Sequence, residues 1–278
     1  MRLATLNVLS MRDPKGLASA LQAHLPIDVL ALQEVGRPEA AHAFAASMNM
    51  RVAVLAVGDA KVCLCNALLV RLDEPNGASS ASYKLFHPRE SRAAVSVTLP
   101  RLGGAEFICT HLDHRDEDVR LQQLASLRAQ HAAAASDGAV IFYMGDFNSL
   151  RRSDYTDAAW GQLVKARSAA QIESETRVSE LLEHEWKLAD CRTAAASCLG
   201  STPTSVHGCR IDYIWASAGA LAAWRVTECL HVWLKKPPRK RGQQGQEESE
   251  SEEDDDDDSL TDHALVICTL ERTSTAAE

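Results

Sequence analysis

The chain has 278 residues, 46% of them hydrophobic, with eight cysteines and a formal charge of −9. That length supports a substantial core, as one large domain or two small ones. No apolar run reaches the ~18 residues a membrane span needs, and the acidic balance excludes the broad basic surface that grips long nucleic acid.

Read in chain order, strand and helix signals alternate first and then strands pair. Arg2–Val8 reads as a strand following Met1 directly, so no secretory leader is expected. Pro14–His24 has helical apolar spacing at Leu17, Leu21 and Leu25. Asp28–Gln33 is a buried strand and Arg37–Met48 an Ala-rich helix. Arg51–Val57 and Val62–Leu72 read as a hairpin turned at Gly58-Asp59, and Ala93–Leu99 with Glu106–Thr110 as another, turned at Arg101–Gly104. Asp116–Ala135 is a long helix with three acids in its first turn, where the helix dipole favours anions. Ala139–Met144 is an unbroken apolar strand, and residues 150–190 read as helices and loops. Arg210–Ala216, Trp224–Val232 and His263–Leu270 are the closing strands.

The charge is unevenly placed. Ten acids lie between Glu247 and Asp258, so the remainder carries +1. Lys235, Lys236, Arg239, Lys240 and Arg241 precede them, and without either run the body is about −4. The stretch from about 235 to 259 is Pro, Gly, Gln, Ser and charge, with no packing residue. It is expected to be a disordered basic-acidic insertion, with a solvated spacer as its plain role. A nuclear import tag, a docking point for a protein partner, and phosphorylation of Ser249 or Ser251 by an acid-directed kinase are the functional alternatives. The cysteines lie in apolar strand-like surroundings without a C-x-x-C pair, and Cys63 and Cys65 share one strand face. Reduced thiols and an intracellular setting, cytoplasm or nucleus, are therefore expected.

Chemistry-bearing residues recur where the apolar strands stop. They are Asn7, Gln33-Glu34, Thr110-His111-Leu112, Gly145-Asp146-Phe147-Asn148, Arg210-Ile211-Asp212-Tyr213 and Thr261-Asp262-His263. Acids, amides and imidazoles at strand ends suit a hydrolase that holds a hard cation and moves a proton. A lone strand-end Asn or Asp also forms turns, so the signal lies in the set. Because the set runs from residue 7 to 263, one domain spanning 1–278 is expected, interrupted by the charged insertion.

In this order the motifs resemble the endonuclease/exonuclease/phosphatase superfamily, which includes deoxyribonuclease I-like enzymes. The resemblance covers essentially the whole chain. It implies a four-layer α/β/β/α sandwich, with two mostly antiparallel sheets face to face and helices outside. It further implies a metal-dependent hydrolase of phosphate esters that works by in-line attack of water, with Mg²⁺ or Mn²⁺ as cofactor. Glu34, Asn7 and Asp262 are then expected on the metal side, and Asp146 aligns or deprotonates the water. Asn148 holds a non-bridging oxygen, Asp212 orients His263, and His111 donates a hydrogen bond to the phosphate. Arg92, in Glu90-Ser91-Arg92-Ala93-Ala94, is expected to contact the phosphate together with Asn7, Asn148 and His111.

Other positions stay open. Asn66 has a site role or a structural hydrogen bond, and Asp113, His114 and Arg120 form either a site rim or a helix cap. Thr202-Pro203-Thr204 resembles a substrate-side loop. Gly208-Cys209-Arg210-Ile211-Asp212 departs from the inositol polyphosphate phosphatase pattern. A phosphodiesterase or nuclease, with nucleic acid or nucleotide as substrate, is the leading expectation. A phosphomonoesterase on a small metabolite or lipid headgroup is the alternative, and a non-catalytic binding protein using the charged loop is the reading from another class.

Overall fold

The computed structural model describes residues 1–56, 65–73, 77–88, 92–131, 138–200, 203–235 and 259–273. The strands are β1 (Arg2–Asn7), β2 (Val29–Gln33), β3 (Met50–Ala56), β4 (Asn66–Arg71), β5 (Ser79–Leu85), β6 (Arg92–Leu99), β7 (Ala105–His111), β8 (Ile141–Asp146), β9 (Ala189–Asp190), β10 (Ser197–Leu199), β11 (Asp212–Ala216), β12 (Trp224–Val232) and β13 (Leu265–Arg272). The helices are α1 (Pro14–Leu21), α2 (Pro38–Ser47), α3 (Glu117–Gln130), α4 (Asp157–Ala169), α5 (Arg177–Glu180), α6 (Cys191–Ala194) and α7 (Ala218–Ala223).

Period-2 patterning builds the layers. One sheet has the order β10-β12-β13-β1-β2-β4-β3, the other β5-β6-β7-β8-β11-β9. Along β8, Phe142 and Met144 face the other sheet while Ile141 and Tyr143 face the helices. β11 repeats this, with Ile214 and Ala216 inward and Tyr213 and Trp215 outward. Leu3, Ala31 and Leu68 of the first sheet meet Val97, Phe107 and Phe142 of the second in the central core. Leu17, Leu21 and Phe44 of α1 and α2 cover the first sheet's outer face through Leu6, Leu30 and Leu32. Leu124, Leu127 and Val178 of α3 and α5 cover the second through Ile108 and Tyr143. The result is the expected α/β/β/α sandwich, and most strand pairs are antiparallel.

The structure adds strands that the sequence pattern hid. Ser79–Leu85, rich in serine, pairs antiparallel with β6 as an edge strand whose residues are mostly exposed or half-buried. An edge strand tolerates that composition because only one of its sides is paired. The short β9 and β10 lie in stretches too brief for an alternation to show. Asp116 caps α3 rather than entering it, accepting from the Asp118 and Val119 N–H groups at 2.9 and 3.2 Å. The Gly58-Asp59 turn, Cys63, Glu90, Ser91, Thr202, residues 132–135 of the expected long helix, and residues 236–258 with Ser249 and Ser251 lie outside the described residues. The insertion's two feet are described: Lys235 pairs with Ser259, and the Leu260 N–H donates to Leu234 O at 3.0 Å. Six of the seven described cysteines are buried, and all seven are free thiols. No described helix is long and apolar enough to cross a membrane.

A buried ion pair fixes the start of β11. Arg210 places Nη1 and Nη2 at 2.7 Å from the two Asp190 carboxylate oxygens, adds Asp154 at 3.1 Å, and lies 4.3 Å over the Tyr213 ring. Burial opposes ionisation of Asp190, but the neighbouring guanidinium outweighs it and holds the carboxyl below its usual range. Asp190→Ala leaves the buried Arg210 with Asp154 alone, so it is expected to cost toward the lower end of about 3–5 kcal/mol in denaturant unfolding. A loss below about 1 kcal/mol, within the range of ordinary surface changes, contradicts that account.

Candidate active site

Strand register sets the site. Asn7 stands beside Gln33 across the parallel β1–β2 pair, His111 beside Asp146 across β7–β8, and Asp146 beside Asp212 across β8–β11. Side chains expected separately from five motifs thus emerge from adjoining strand ends. Gly145 permits one of these approaches. At φ +145 its backbone passes so near β7 that a Cβ would lie 1.9 Å from Thr110 O.

Glu34 and Asn148 both follow strand ends with left-handed backbone, φ +53 and +49. Such a conformation is rare outside glycine and costs about 1 kcal/mol or more. Hydrogen bonds hold both turns: Ser10 N–H donates to Glu34 O at 2.8 Å, and Asn148 N–H to Asp146 Oδ1 at 2.9 Å. Gln33, beside Glu34, turns between the sheets, accepting from Thr5 Oγ1 and donating to Cys109 Sγ, each at 3.2 Å. The glutamine of the Q-E pair is therefore structural, and the glutamate faces the cavity.

One carboxylate oxygen is the centre of the arrangement. Asp146 Oδ2 accepts from Asn7 Nδ2 at 3.2 Å, and His111 Nε2 and His263 Nε2 stand 3.7 and 3.8 Å from it. The same Asn7 amide donates to Glu34 Oε1 at 2.9 Å, and His111 Nε2 lies 3.8 Å from that oxygen. Asn7 Oδ1 accepts the Leu9 N–H at 3.2 Å. The amide expected on the metal thus turns its nitrogen to two acids, while its oxygen braces the following turn.

His263 Nδ1 and Asp212 Oδ2 are 2.9 Å apart. Burial alone would lower the His263 pKa. The Asp212 charge and hydrogen bond, aided by Asp146 and Asp262, reverse this and raise it to about 10. His111 goes the other way: burial, then the positive charges of Arg92 and His263, push its pKa well below the usual value. Burial and the nearby Asp212 raise Asp146 to about 7, against the opposing pull of His263 and the Asn148 and Asn7 hydrogen bonds. A cationic imidazole, a neutral one and an acid poised near neutrality therefore share the pocket.

Glu34, Arg92, His111, Asp146, Asn148, Asp262 and His263 all line one cavity of ≈ 420 Å³. Arg92 is buried and braces the end of β7, donating from Nη1 to Leu112 O at 3.0 Å and His111 O at 3.4 Å. Asn148 Nδ2 donates to the same Leu112 carbonyl at 3.1 Å. Asp212 lies behind His263, fully buried, with its N–H given to Thr204 Oγ1 at 3.1 Å. Thr261 Oγ1 donates to Asn7 O at 2.7 Å, tying the foot of the insertion to the site.

The open positions divide. Asn66 donates to Ala93 O at 2.7 Å, a bond between the sheets, and does not line the cavity. Asp113 accepts the Arg115 and Asp116 N–H groups and pairs with His87, so it shapes the turn into α3; Arg120 pairs with Glu117. His114 does line the cavity. Arg167 and His207 also line it without belonging to any motif, as does Cys209, which precedes Arg210-Ile211-Asp212. A cation between a helix end and a loop carries no periodic signal, and only the docking of α4 reveals it.

The donor set fits a hard divalent cation. Asp212 Oδ1 and Asp262 Oδ1 are buried acceptors without a hydrogen-bond partner among the described residues. Asp146, Asp212 and His263 bring one donor atom each within 4.8 Å of one another. Asp212 occupies His263 Nδ1, and the carboxylate oxygens of the set are the donors that magnesium and manganese prefer.

The sequence profile of the Endonuclease/Exonuclease/phosphatase family matches residues 4–233. No curated protein matches the chain in sequence. Among solved structures, a conserved protein of unknown function from Enterococcus faecalis is 17% identical with a TM-score of 0.65, covering 98% of this chain and 100% of that one. A mannosyl-6-phosphatase from Bacteroides thetaiotaomicron is 14% identical with a TM-score of 0.60, over 98% and 99%. A 3′ phosphatase from Neisseria, bound to product DNA hairpin, is 17% identical with a TM-score of 0.59, over 98% and 99%. At these identities the likeness shows a shared fold.

Proposed function

We propose, from the premise that this chain belongs to the endonuclease/exonuclease/phosphatase family, that it is a divalent-metal-dependent phosphodiesterase acting on a nucleotide-sized ester. The observation that carries the reading is the meeting of Asn7, His111 and His263 at Asp146 Oδ2. A cavity of ≈ 420 Å³ suits a small ligand, and a body that carries about −4 outside the charged insertion disfavours a long polyanion.

Glu34 and Asp146, bridged by the Asn7 amide, would hold Mg²⁺ or Mn²⁺, with Asp262 a further acid on the cavity wall; when bound, the ion neutralises phosphate charge and lowers the pKa of water. Asp146, with a pKa near 7, aligns the attacking water and accepts its proton. Asn7 fixes that carboxylate relative to Glu34. His263, kept cationic by Asp212, faces the charge that builds on the phosphate. Neutral His111 has an N–H to offer the same group, as do the second amide hydrogen of Asn148 and the guanidinium of Arg92. A phosphomonoesterase is the second reading, favoured by the names of the two phosphatase relatives.

Purified protein is expected to hydrolyse bis-p-nitrophenyl phosphate with Mg²⁺ or Mn²⁺ and to stop under EDTA. Faster release from p-nitrophenyl phosphate selects the monoesterase reading. Activity that persists under EDTA, or none on either ester with any divalent ion, overturns the proposal.

A further inference from the structure

The cavity is not uniform in charge. Its three acids, Glu34, Asp146 and Asp262, gather near Asn7 and His263. Arg167 at the end of α4, His114 after β7 and His207 before β11 line the same space. His114 bears on His111, and the His207 loop joins the acids, where Val206 N–H donates to Asp262 O at 3.0 Å. Arg167 is pinned in place: Nε and Nη2 donate to Glu173 O at 3.1 and 2.7 Å, and Nη1 donates to Cys209 Sγ at 3.6 Å. That uses three of its five N–H groups, and no carboxylate pairs with it among the described residues. A loop-capping arginine is the plain explanation, and the Glu173 carbonyl accounts for two of the bonds. It leaves the charge unneutralised on the cavity wall, with two donors to spare. His114 Nε2 accepts from Arg115 Nε at 2.9 Å. Ile172, 42% exposed, adds apolar surface to the cavity wall.

We infer that Arg167 forms a second anion subsite, so that the preferred ester carries a further phosphate group besides the one cleaved. The inference rests on the phosphoesterase reading and names the substrate class for it. A fixed planar fork matches phosphate geometry at little cost in side-chain freedom. The acids are matched to the cation and the scissile group, so a substrate with two phosphates answers both them and Arg167.

The test is a ratio of affinities. Thymidine 3′,5′-bisphosphate and thymidine 5′-phosphate are titrated by calorimetry into the full chain with Ca²⁺ added to occupy the cation site, released phosphate being assayed to confirm that no turnover occurs. The bisphosphate is expected to bind about tenfold or more tightly in the wild type, the scale of a charge-assisted hydrogen bond. Arg167→Gln keeps a donor for Glu173 O but loses the charge, and its ratio is expected near one. Equal affinities in the wild type, or an unchanged ratio in a normally melting Arg167→Gln, overturn the subsite. Should that variant melt early, Arg167→Met, which keeps the length and removes the charge, replaces it: a ratio near one supports the subsite and the wild-type ratio overturns it. Because binding is read without catalysis, a failure to hydrolyse any ester would sink the proposed function and leave this ratio to judge the subsite alone.

Discussion

Asp146→Asn is expected to lower kcat for bis-p-nitrophenyl phosphate by about 10³-fold or more, toward the upper range for removing a positioned general base. The change leaves the Asn148 turn its amide acceptor but removes the negative charge that His263 and Asn7 converge on. A second consequence separates this account from simple misfolding. Asp146 is raised to about 7 from an ordinary carboxylate value, first by burial and then by Asp212. A folded pKa above the unfolded one means that stability is lost as the acid is forced to ionise, between about pH 4 and pH 7. Without metal, that loss belongs to the wild type and not to the variant. The melting temperature of Asp146→Asn relative to wild type, measured in EDTA, should therefore shift in the variant's favour as pH rises from 4 through 7. A pH-independent difference, or a variant that retains a tenth of wild-type kcat, rejects the assigned role.

The legible part of the site was the part written at strand ends. Asn7, Glu34, His111, Asp146 and Asp212 stand where apolar alternation stops; strand register groups them within each sheet, and the packing of the two sheets brings the groups together. Their residue types announce chemistry because buried acids and amides are expensive without a purpose. What the sequence did not reveal was how they share atoms. That one Asn7 amide spans Glu34 and Asp146 depends on the turn after β1, where Leu9 N–H claims the amide oxygen. Gln33 has the same strand-end signature as Glu34 and is a structural brace. Asp113 likewise looks like a site residue and shapes a turn. The sandwich was legible wherever strands are buried on both faces, as in β2, β7 and β8. It was not legible at β5, where an edge position removes the demand for apolar residues. Arg167 and His207 are hidden for another reason: their place in the cavity comes from the packing of a helix and a loop, which no local pattern encodes.

Asp212→Asn is expected to be nearly as damaging to activity, about 10²–10³-fold in kcat, although Asp212 lies behind His263. The carboxylate makes His263 a cation. Burial favours the neutral ring, and the Asp212 charge with its 2.9 Å hydrogen bond is the largest opposing influence. An amide at 212 can still orient the ring but withdraws the charge, so burial then prevails and the His263 pKa falls well below 10. Nuclear magnetic resonance titration of His263 in metal-free protein reads this directly. The linkage has a definite sign. His263 is raised above its unfolded value of about 6.5, so the pair stabilises the fold fully below that pH and loses its contribution as pH climbs through about 10. The stability advantage of wild type over Asp212→Asn should accordingly shrink across that window, whereas a carboxylate that merely filled space would show a constant gap. Activity should follow the imidazolium: the variant's kcat should decline at a lower pH than the wild type's. An unmoved His263 titration with lost activity would instead assign Asp212 a direct part in the chemistry.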